Sequence, residues 1–543
     1  MSDYDTIVIG SGAGGLTTAV TLAQAGQKVL VCEQHEVPGG WTHSFTLSGY
    51  RFSPGVHYIG SLGPDEPLRA IYEGLGVTQD LAFCELNPDG FDHVIVGGER
   101  FDIPKGRDRF ISRLKERFPH ETRGIDRYFQ IMNDLFADLR TLARLQNPLH
   151  LLQAQTFWRW GLRTGQAVLD HCFTDPLLKA ILSAQAGDHG LPPSQASAPV
   201  HLGITQHYLE GGYYPLGGGF AIPRAFTRAL KRAGGELRLA TPVQRILLAN
   251  GRAAGVQLAG GETITARHIV SNADPEMTFG KLIGREQLPW RLRRKLNRAR
   301  YSGSALSLFF AVDMDLRAAG LDSGNVWYYR HHDVDGLYRQ GLTDHALHSD
   351  RVDALFLTAT TLKDPSKMHS GHHTLEAFTF VNYDPFWRWA NQPEGQRDAA
   401  YQALKGQLAD KMFATLGEIV PGIRERVVFC DLGTPLTNQH YVAAHRGNLY
   451  GTAKTPWQMG PLSFPVQTAV PGLWLCGAST LSHGVAGATA SGMAAARSIL
   501  GCRTRDLLQQ QGPDLQIYPS EDVSQWPPAL QVKIEQRQSG NIL

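Results

Sequence analysis

The chain has 543 residues, of which 42% are hydrophobic and 19% charged, with a formal net charge of +2. This length exceeds one compact core and predicts two or three interwoven domains of roughly 100–250 residues each. The near-neutral balance gives no general reason to expect nucleic acid as a partner. Six scattered cysteines without a CxxC pair argue against a zinc site or a disulfide framework and indicate a reducing compartment.

The first predicted element is the apolar run TIVI (6–9), which has the pattern of a buried parallel strand. It begins so early that no room remains for a secretory signal peptide. No run of about 18 apolar residues marks a membrane-spanning helix. We therefore expect a cytoplasmic protein that is soluble or bound at a membrane surface.

A glycine turn follows this strand as G-x-G-x-x-G. Gly10 allows the tight turn, Gly12 lets the backbone approach a pyrophosphate, and Gly15 lets the next helix (14–25) pack on the strand. The helix amides suit a diphosphate, and Glu33 at the end of the second strand (28–32) suits a ribose diol. The nucleotide-binding residues predicted here are Gly10, Ser11, Gly12, Ala13, Gly14, Gly15, Glu33 and Gln34.

Two further segments at opposite ends of the chain indicate which nucleotide binds. A second glycine pair, Gly39-Gly40, follows Glu33, and residues 472–500 form a strand, a glycine-rich turn and a small-residue helix. Two such elements more than 400 residues apart indicate one long cofactor held by both chain ends, which is FAD. The residues assigned to these segments are Gly39, Gly40, Trp41, Thr42, Gly477, Ala478, Ser479, Val485 and Ala486.

The pattern resembles the FAD-binding domain of the flavin amine oxidase and phytoene desaturase superfamily, especially its phytoene desaturase, carotenoid isomerase and retinol saturase branch. The segments that carry this resemblance are PGGWTHSFTLSGYRFSPGVHYIG (38–60), GGYYPLGGGFAIPRAFTRAL (211–230), GELRLATPVQRI (235–246), HIVSNADP (268–275) and the C-terminal block. The resemblance implies an α/β fold in which a Rossmann-type FAD-binding domain is interwoven with an α+β substrate domain.

The resemblance also assigns parts of the chain and individual residues. Val243 is expected to offer its backbone to the adenine edge, whereas no acidic residue follows Gly477, so no carboxylate contact is expected there. The predicted FAD-binding parts are 1–105, 211–274 and 433–502, and the substrate parts are a helical, membrane-proximal region (106–210) and residues 275–432. A polar tail (503–543) is expected to lie over the surface.

Four residues are candidates for the proton step that accompanies hydride transfer to or from the flavin. They come from segments expected beside the flavin: His57, Tyr58, Tyr213 and Tyr214. A structural role, such as bonding the cofactor or shaping a tunnel, is an equal alternative for each. No second nucleotide fingerprint occurs, which favours oxygen, a quinone or another carrier over NAD(P)H as electron partner, or an isomerisation without net electron transfer.

Three functions remain open from the sequence. The favoured one is an FAD-dependent oxidoreductase acting on carbon–carbon double bonds of an apolar polyene or isoprenoid, as desaturase, saturase or cis-trans isomerase. The second is a flavin oxidase of amines or other small polar substrates. The third is a non-catalytic prenyl-lipid carrier of the same fold, against which the intact glycines and Glu33 argue.

Two segments allow two interpretations each, and a histidine cluster that resembles a metal site is given a structural interpretation. The basic segment WRLRRKLNRAR (290–300) is either a solvated helix face or a contact for anionic lipid. Trp158 and Trp160, in the segment 151–162, are either core residues or interfacial anchors. The histidines at 369, 372 and 373 are interpreted as a turn entering a strand, and no metal site is predicted.

Overall fold

The first strand lies at the centre of a seven-stranded sheet in the computed structural model, which describes residues 2–143, 153–508 and 512–538. Both neighbours of this strand run parallel to it, which explains its continuous apolar sequence. The strands, from edge to edge, are Val243–Ala249, Arg252–Leu258, Thr263–Ser271, Tyr4–Ile9, Val29–Cys32 and Glu236–Arg238, and Leu473–Leu475 pairs with Thr263–Ser271. The predicted Rossmann-type α/β arrangement is thus confirmed, and both chain ends enter the same sheet.

The N-terminal helix Ala13–Gln24 packs closely against the C-terminal helix Gly484–Leu500. Thr18 Oγ1 donates to the carbonyl of Gly492 at 3.1 Å. A Cβ atom at Gly492 would lie 2.4 Å from the carbonyl oxygen of Gly14, so only glycine allows this approach. The small residues of the C-terminal helix therefore bring its first turn next to the N-terminal glycine turn.

A second, mainly antiparallel sheet lies opposite the predicted cofactor-binding segments. Its strands, in order, are Val427–Gly433, Ser304–Val312, His373–Val381, Ala354–Ala359, Asn325–Tyr329, Asp92–Val96 and Glu99–Ile103. The last two strands belong to this sheet although sequence analysis grouped residues 1–105 with the cofactor-binding part. They join it because Asp92–Val96 pairs in parallel with Asn325–Tyr329, and this long-range pairing buries Val94 and Val96.

Helices surround these sheets and form most of the described part of residues 106–210. The helices of this region are Arg107–Arg117, Thr122–Ala143, Gln155–Trp160, Gly165–Cys172, Pro176–Ser183 and Ala198–Tyr208. Other helices are Pro67–Gly74, Ala221–Arg232, Trp290–Arg298, Val334–Gly341, His345–His348, Thr360–Lys363, Ala399–Ile419, Pro435–Val442 and Pro528–Gln538, with a π-helix at Glu276–Gly284. Residues 144–152, which include the start of the segment 151–162, lie outside the described residues.

The described part of the C-terminal tail (503–508 and 512–538) is part of the fold, which corrects the expectation that the tail lies over the surface. Its strand Gln516–Pro519 pairs in parallel with Ala82–Glu85, which also pairs with Tyr213–Pro215. Trp526 is buried and its indole N–H donates to the carbonyl of Pro519 at 2.7 Å. A few apolar side chains in a polar sequence anchor the tail. A separate hairpin, Phe45–Leu47 and Tyr50–Phe52, precedes the segment that carries His57.

Candidate active site

One cavity of about 1180 Å³, which includes its opening to solvent, lies where the two chain ends meet. Its wall is formed by the first glycine turn, the second glycine pair, Asn272 and the turn before the C-terminal helix. The predicted FAD-binding residues in this wall are Gly12, Ala13, Gly39, Gly40, Trp41, Thr42, Gly477, Ala478, Ser479 and Val485. The chain ends thus come together around one space, as a single long cofactor requires.

Glu33 links the two glycine segments although it lies behind the cavity wall. Its Oε2 accepts hydrogen bonds from Ser11 N at 2.8 Å and Ser11 Oγ at 2.6 Å, and its Oε1 accepts from His35 N at 3.0 Å. Ser11 Oγ in turn accepts from Gly39 N at 3.1 Å. A carboxylate has about four acceptor positions, so Glu33 retains capacity for a ribose hydroxyl.

The start of the helix Ala13–Gln24 provides bare backbone amides. Gly12 occupies the N-cap without a capping side chain, and the first turn contains no acidic residue. Asn272 supports this turn, because its Oδ1 accepts from Gly15 N at 3.1 Å. A Cβ at Gly12 would lie 2.5 Å from Asn272 Nδ2, so the turn needs glycine at this position. Free amides at a helix N-terminus favour an anionic diphosphate.

Asn272 was not selected from the sequence, although it lies in the quoted segment HIVSNADP. The available signal was its position directly after the buried strand Thr263–Ser271, at the edge of the sheet where the glycine turn also lies.

The C-terminal side of the cavity has a similar construction. The helix Gly484–Leu500 begins after His483 without a capping side chain. Gly477 N donates to Ser491 Oγ at 2.7 Å, and Ser479 Oγ accepts from Thr452 N at 3.1 Å. These bonds hold the turn that precedes the helix.

The predicted adenine-side residues lie outside this wall. Thr241 N donates to the carbonyl of Glu33 at 2.7 Å, which places the start of Val243–Ala249 beside Glu33. Gln34 is exposed and lines a separate surface groove. The residues present fit FAD. The glycine backbone and two uncapped helix starts match the chemistry of the diphosphate, and the Glu33 carboxylate matches that of the ribose.

His57 reaches the cavity wall with its orientation fixed from behind. Its Nδ1 lies 3.0 Å from Glu376 Oε2, and Glu376 is buried and also accepts from Ser53 N at 2.7 Å. The imidazole side chain is 16% exposed, so the ring retains an open edge. The rings of Phe356 and Phe378 lie 5.2 and 5.8 Å from it. The site thus places one ionisable ring among aromatic side chains.

The three predicted tyrosines lie behind or away from this wall. Tyr58 Oη lies 3.0 Å from Oδ2 of the buried Asp92 and 2.8 Å from Oδ2 of the partly buried Asp188. Tyr214 Oη accepts from the buried ammonium of Lys367 at 2.7 Å, and burial raises the pKa of this tyrosine well above its usual range. Tyr213 Oη donates to the carbonyl of Glu210 at 2.7 Å and packs in a different core cluster. Of the four candidates, only His57 lines the cavity.

A buried lysine behind His57 was missed by sequence reasoning. Lys363 Nζ donates to the carbonyl of His57 at 2.7 Å and to Asn325 Oδ1. Burial lowers the pKa of Lys363 to about 7, although the charges of Asp92 and Glu376 oppose this shift. A fully buried lysine is costly and is retained where it positions other groups or holds a proton.

The histidines at 369 and 372 form a turn that enters the strand His373–Val381. His372 Nδ1 bonds to Tyr50 Oη at 2.7 Å, and His373 Nδ1 bonds to Thr361 Oγ1 at 2.9 Å. These partners give the two rings structural roles.

The site combines three features: a glycine turn after the central parallel strand, an acidic residue behind that turn, and a C-terminal helix that begins at the same cavity. This combination defines an FAD-binding oxidoreductase. The family described as flavin containing amine oxidoreductase matches residues 13–500, and the chain belongs to this family. The predicted family, cofactor and enzyme class are therefore confirmed.

Individual relatives narrow the comparison. The chain is 32% identical to an all-trans-retinol 13,14-reductase of Danio rerio, over 92% of this chain and 86% of the relative. It is 28% identical to prolycopene isomerase 1 of an Oncidium hybrid cultivar, over 92% of this chain and 84% of the relative. A solved putrescine oxidase bound to putrescine superposes with a TM-score of 0.60 at 16% identity, covering 92% of this chain and 99% of that one. This last likeness concerns the fold alone.

Proposed function

We propose that this FAD-dependent enzyme acts on carbon–carbon double bonds of an apolar conjugated polyene, and that it reduces a retinoid-like substrate. The observation that carries the proposal is the aromatic wall beside His57, where Phe378 lines the cavity and the buried Phe356 stacks against it at 4.8 Å. Such a wall accommodates a flat apolar chain, and the relative named as a retinol reductase matches nearly the whole length of the chain.

Bound FAD supplies hydride exchange with a carbon of the substrate. In our proposal the glycine turns and Glu33 hold its nucleotide part, and His57 exchanges a proton with the bound molecule in the cavity. Glu376 holds Nδ1, so it sets the tautomer and directs the other ring nitrogen, Nε2, to the open edge. The neighbouring aromatic rings exclude water from the reacting groups.

For the proposed reduction the electron partner is a donor such as a quinol or another reduced carrier rather than a nicotinamide nucleotide, and a quinone or oxygen would serve as the acceptor only in the desaturating direction. The support is the single G-x-G-x-x-G with a following acid in the sequence, which the FAD site uses. A reductase needs an electron donor that reduces the flavin, whereas a desaturase needs an electron acceptor that reoxidises it.

We also propose that the protein collects its apolar substrate at an anionic membrane surface. Among the described residues, no helix has both the length and the apolar composition to cross a bilayer. The helix Trp290–Arg298 buries Leu292 and Leu296 and exposes its four arginines. Together with Trp457, which is 75% exposed, it lines a surface groove. Exposed tryptophans among arginines fit lipid headgroups.

The tryptophan pair predicted from the sequence divides between the two interpretations. Trp160 is 3% exposed and is therefore a core residue, whereas Trp158 is 54% exposed. Only Trp158 is therefore a candidate for the membrane surface.

We expect the protein to sediment with phosphatidylserine vesicles at low salt and to be released as salt rises. Arg291→Gln combined with Arg294→Gln and Arg298→Gln should weaken binding roughly 100-fold, since each basic side chain near the surface contributes about 1 kcal/mol. Arg503→Gln with Arg505→Gln, outside the groove, is the matched control. Equal sedimentation of both variants, or none of the parent, would leave the helix as a solvated face.

The substrate class is tested by mixing anaerobically reduced enzyme with all-trans-retinol, prolycopene or no addition, and oxidised enzyme with putrescine. We expect only a polyene to change the flavin spectrum or the substrate isomer composition. Bleaching of oxidised flavin by putrescine, with no effect of either polyene, would favour amine oxidation. Isomer change without net flavin oxidation would favour an isomerase.

A further inference from the structure

A second cavity adjoins the cavity that is expected to hold FAD, here called the flavin cavity. Its volume is about 510 Å³, counted with its opening to solvent. Phe378 lines both cavities, so the two spaces meet at its ring. We call this second space the aromatic cavity, because its lining includes Trp327, Tyr329, Tyr338, Phe356, Phe378 and Phe380.

The register of the second sheet places several of these rings on one face. Trp327 lies opposite Phe356, and Phe356 lies opposite Phe378, across three neighbouring strands. Side chains two residues apart on a strand share a face, so Glu376 lies on the same face as Phe378. Glu376 is the carboxylate that bonds His57 at 3.0 Å. The sheet face that orients His57 therefore continues into the aromatic cavity.

The rings of the aromatic cavity pack against one another at contact distance. The ring centroid of Phe356 lies 4.6 Å from that of Trp327 and 4.8 Å from that of Phe378. The helix Val334–Gly341 covers the rings and contributes the buried side chain of Tyr338 to the lining. The space is thus a narrow apolar cleft, which fits a flat conjugated chain better than a bulky or charged molecule.

The two ends of the aromatic cavity differ in polarity. At one end, Gln340 Nε2 lies 3.0 Å from His345 Nδ1, and His345 Nε2 lies 2.9 Å from Asp353 Oδ2. These three side chains are partly exposed. Phe356, which stacks on the ring shared with the flavin cavity, is three residues farther along the chain than Asp353 and is buried. The cavity is therefore apolar beside the flavin cavity and polar where it meets solvent.

We propose that the aromatic cavity binds the conjugated apolar chain of the substrate beyond the bond that reacts at the flavin. This inference rests on the proposed polyene reduction and adds the place where the chain binds. The occupant follows from the junction with the flavin cavity at Phe378 and from the aromatic rings on the face that orients His57. Such a lining offers a small polar amine no bonding partner.

The aromatic cavity then selects substrates by the chain that extends beyond the reacting bond. A difference of one methylene group in an apolar pocket changes discrimination about 10- to 200-fold. A side chain that fills the aromatic cavity should therefore weaken binding of the substrate by at least about tenfold, while the FAD content stays the same.

Gly341→Leu fills the aromatic cavity without removing a side chain. A Cβ atom at Gly341 would lie 3.4 Å from the carbonyl oxygen of Phe380 and 3.5 Å from its Cβ, which are ordinary contact distances. Gly341→Ala adds only this first carbon and should behave like the parent. Gly406→Leu is the matched control, because it adds the same side chain at an exposed helix position with open space around the new Cβ.

The first measurement is the Kd of all-trans-retinol for the FAD-loaded, oxidised proteins, from the change in retinol fluorescence. We expect a Kd at least about tenfold higher in Gly341→Leu than in the parent, and parent values in Gly341→Ala and Gly406→Leu. The second measurement uses a retinol analogue with a photoreactive diazirine on its ring. In the parent, we expect its adducts within Asn325–Tyr329, Val334–Gly341 or His373–Val381, and we expect excess retinol to prevent them.

The outcomes separate the two proposals. A Gly341→Leu protein that binds retinol as tightly as the parent, or adducts confined to other parts of the chain, overturns the inference and leaves polyene reduction in place. If Gly341→Leu does not fold with FAD, the adducts in the parent decide alone. A parent that neither binds nor reduces any polyene overturns both the inference and the proposed function.

Discussion

Glu33→Ala is expected to weaken FAD binding by roughly ten- to a hundredfold, because a charge-assisted hydrogen bond contributes about 1.5–3 kcal/mol. The same change also frees Ser11 N and His35 N, which Glu33 holds in the folded chain. The glycine turn should therefore lose part of its order as well as its ribose partner. The measurement is the Kd for FAD on apoprotein, by quenching of flavin fluorescence.

Two variants separate these effects. Glu36→Ala removes an exposed acid three residues away and should leave the Kd unchanged. Glu33→Gln retains an acceptor without the charge and should give a smaller loss than alanine. Unchanged FAD affinity in Glu33→Ala would show that Glu33 is a structural residue of the turn and not a ribose ligand.

His57→Ala is expected to retain FAD and to lose at least about tenfold in turnover of a conjugated isoprenoid, since general acid–base groups typically contribute about 100- to 10,000-fold. The flavin should remain because the wall residues expected to hold its nucleotide part do not bond the imidazole. The measurement is steady-state turnover at matched FAD content.

Glu376→Gln is the informative companion variant, because it keeps the shape behind His57 and removes the charge that fixes the ring. Its turnover should fall, but by less than the turnover of His57→Ala. His120→Ala, an exposed histidine paired with Asp175, is the control and should be neutral. A full rate in His57→Ala would make His57 a structural residue of the wall.

The elements expected to hold the cofactor were predictable because their residues are close together in the sequence or repeat a known spacing. Gly10, Gly12, Gly15 and Glu33 lie within one strand–turn–helix–strand unit, and hydrophobic periodicity fixes that unit locally. The C-terminal block was predictable for the same reason, because a strand, a turn and a helix follow one another directly.

The ionisable groups behind the wall were not predictable, because their positions depend on pairing between distant strands. His57 and Glu376 are 319 residues apart, and Tyr58 and Asp188 are 130 apart. Glu376 reaches His57 only because His373–Val381 lies between two neighbouring strands in one register of the second sheet. A change of one residue in that register would point Glu376 to the other face.

The tyrosines at 213 and 214 illustrate the same limit on a shorter scale. They are adjacent in the sequence and in a strand, so their side chains point to opposite faces. Tyr214 contacts Lys367 near the site, and Tyr213 packs into the core on the other side of the strand. From the sequence, the segment YYPLGGG was expected only to lie beside the flavin, and neither the strand nor the side that each tyrosine faces was predicted.

The measurement that tests the account most directly is a single anaerobic turnover of the reduced enzyme with all-trans-retinol, followed by mass analysis of the extracted retinoid. The account predicts that the oxidised flavin spectrum returns and that an equal amount of product carries two additional hydrogens. A flavin that stays reduced, with retinoid of unchanged mass, would contradict reduction of a carbon–carbon double bond by this protein.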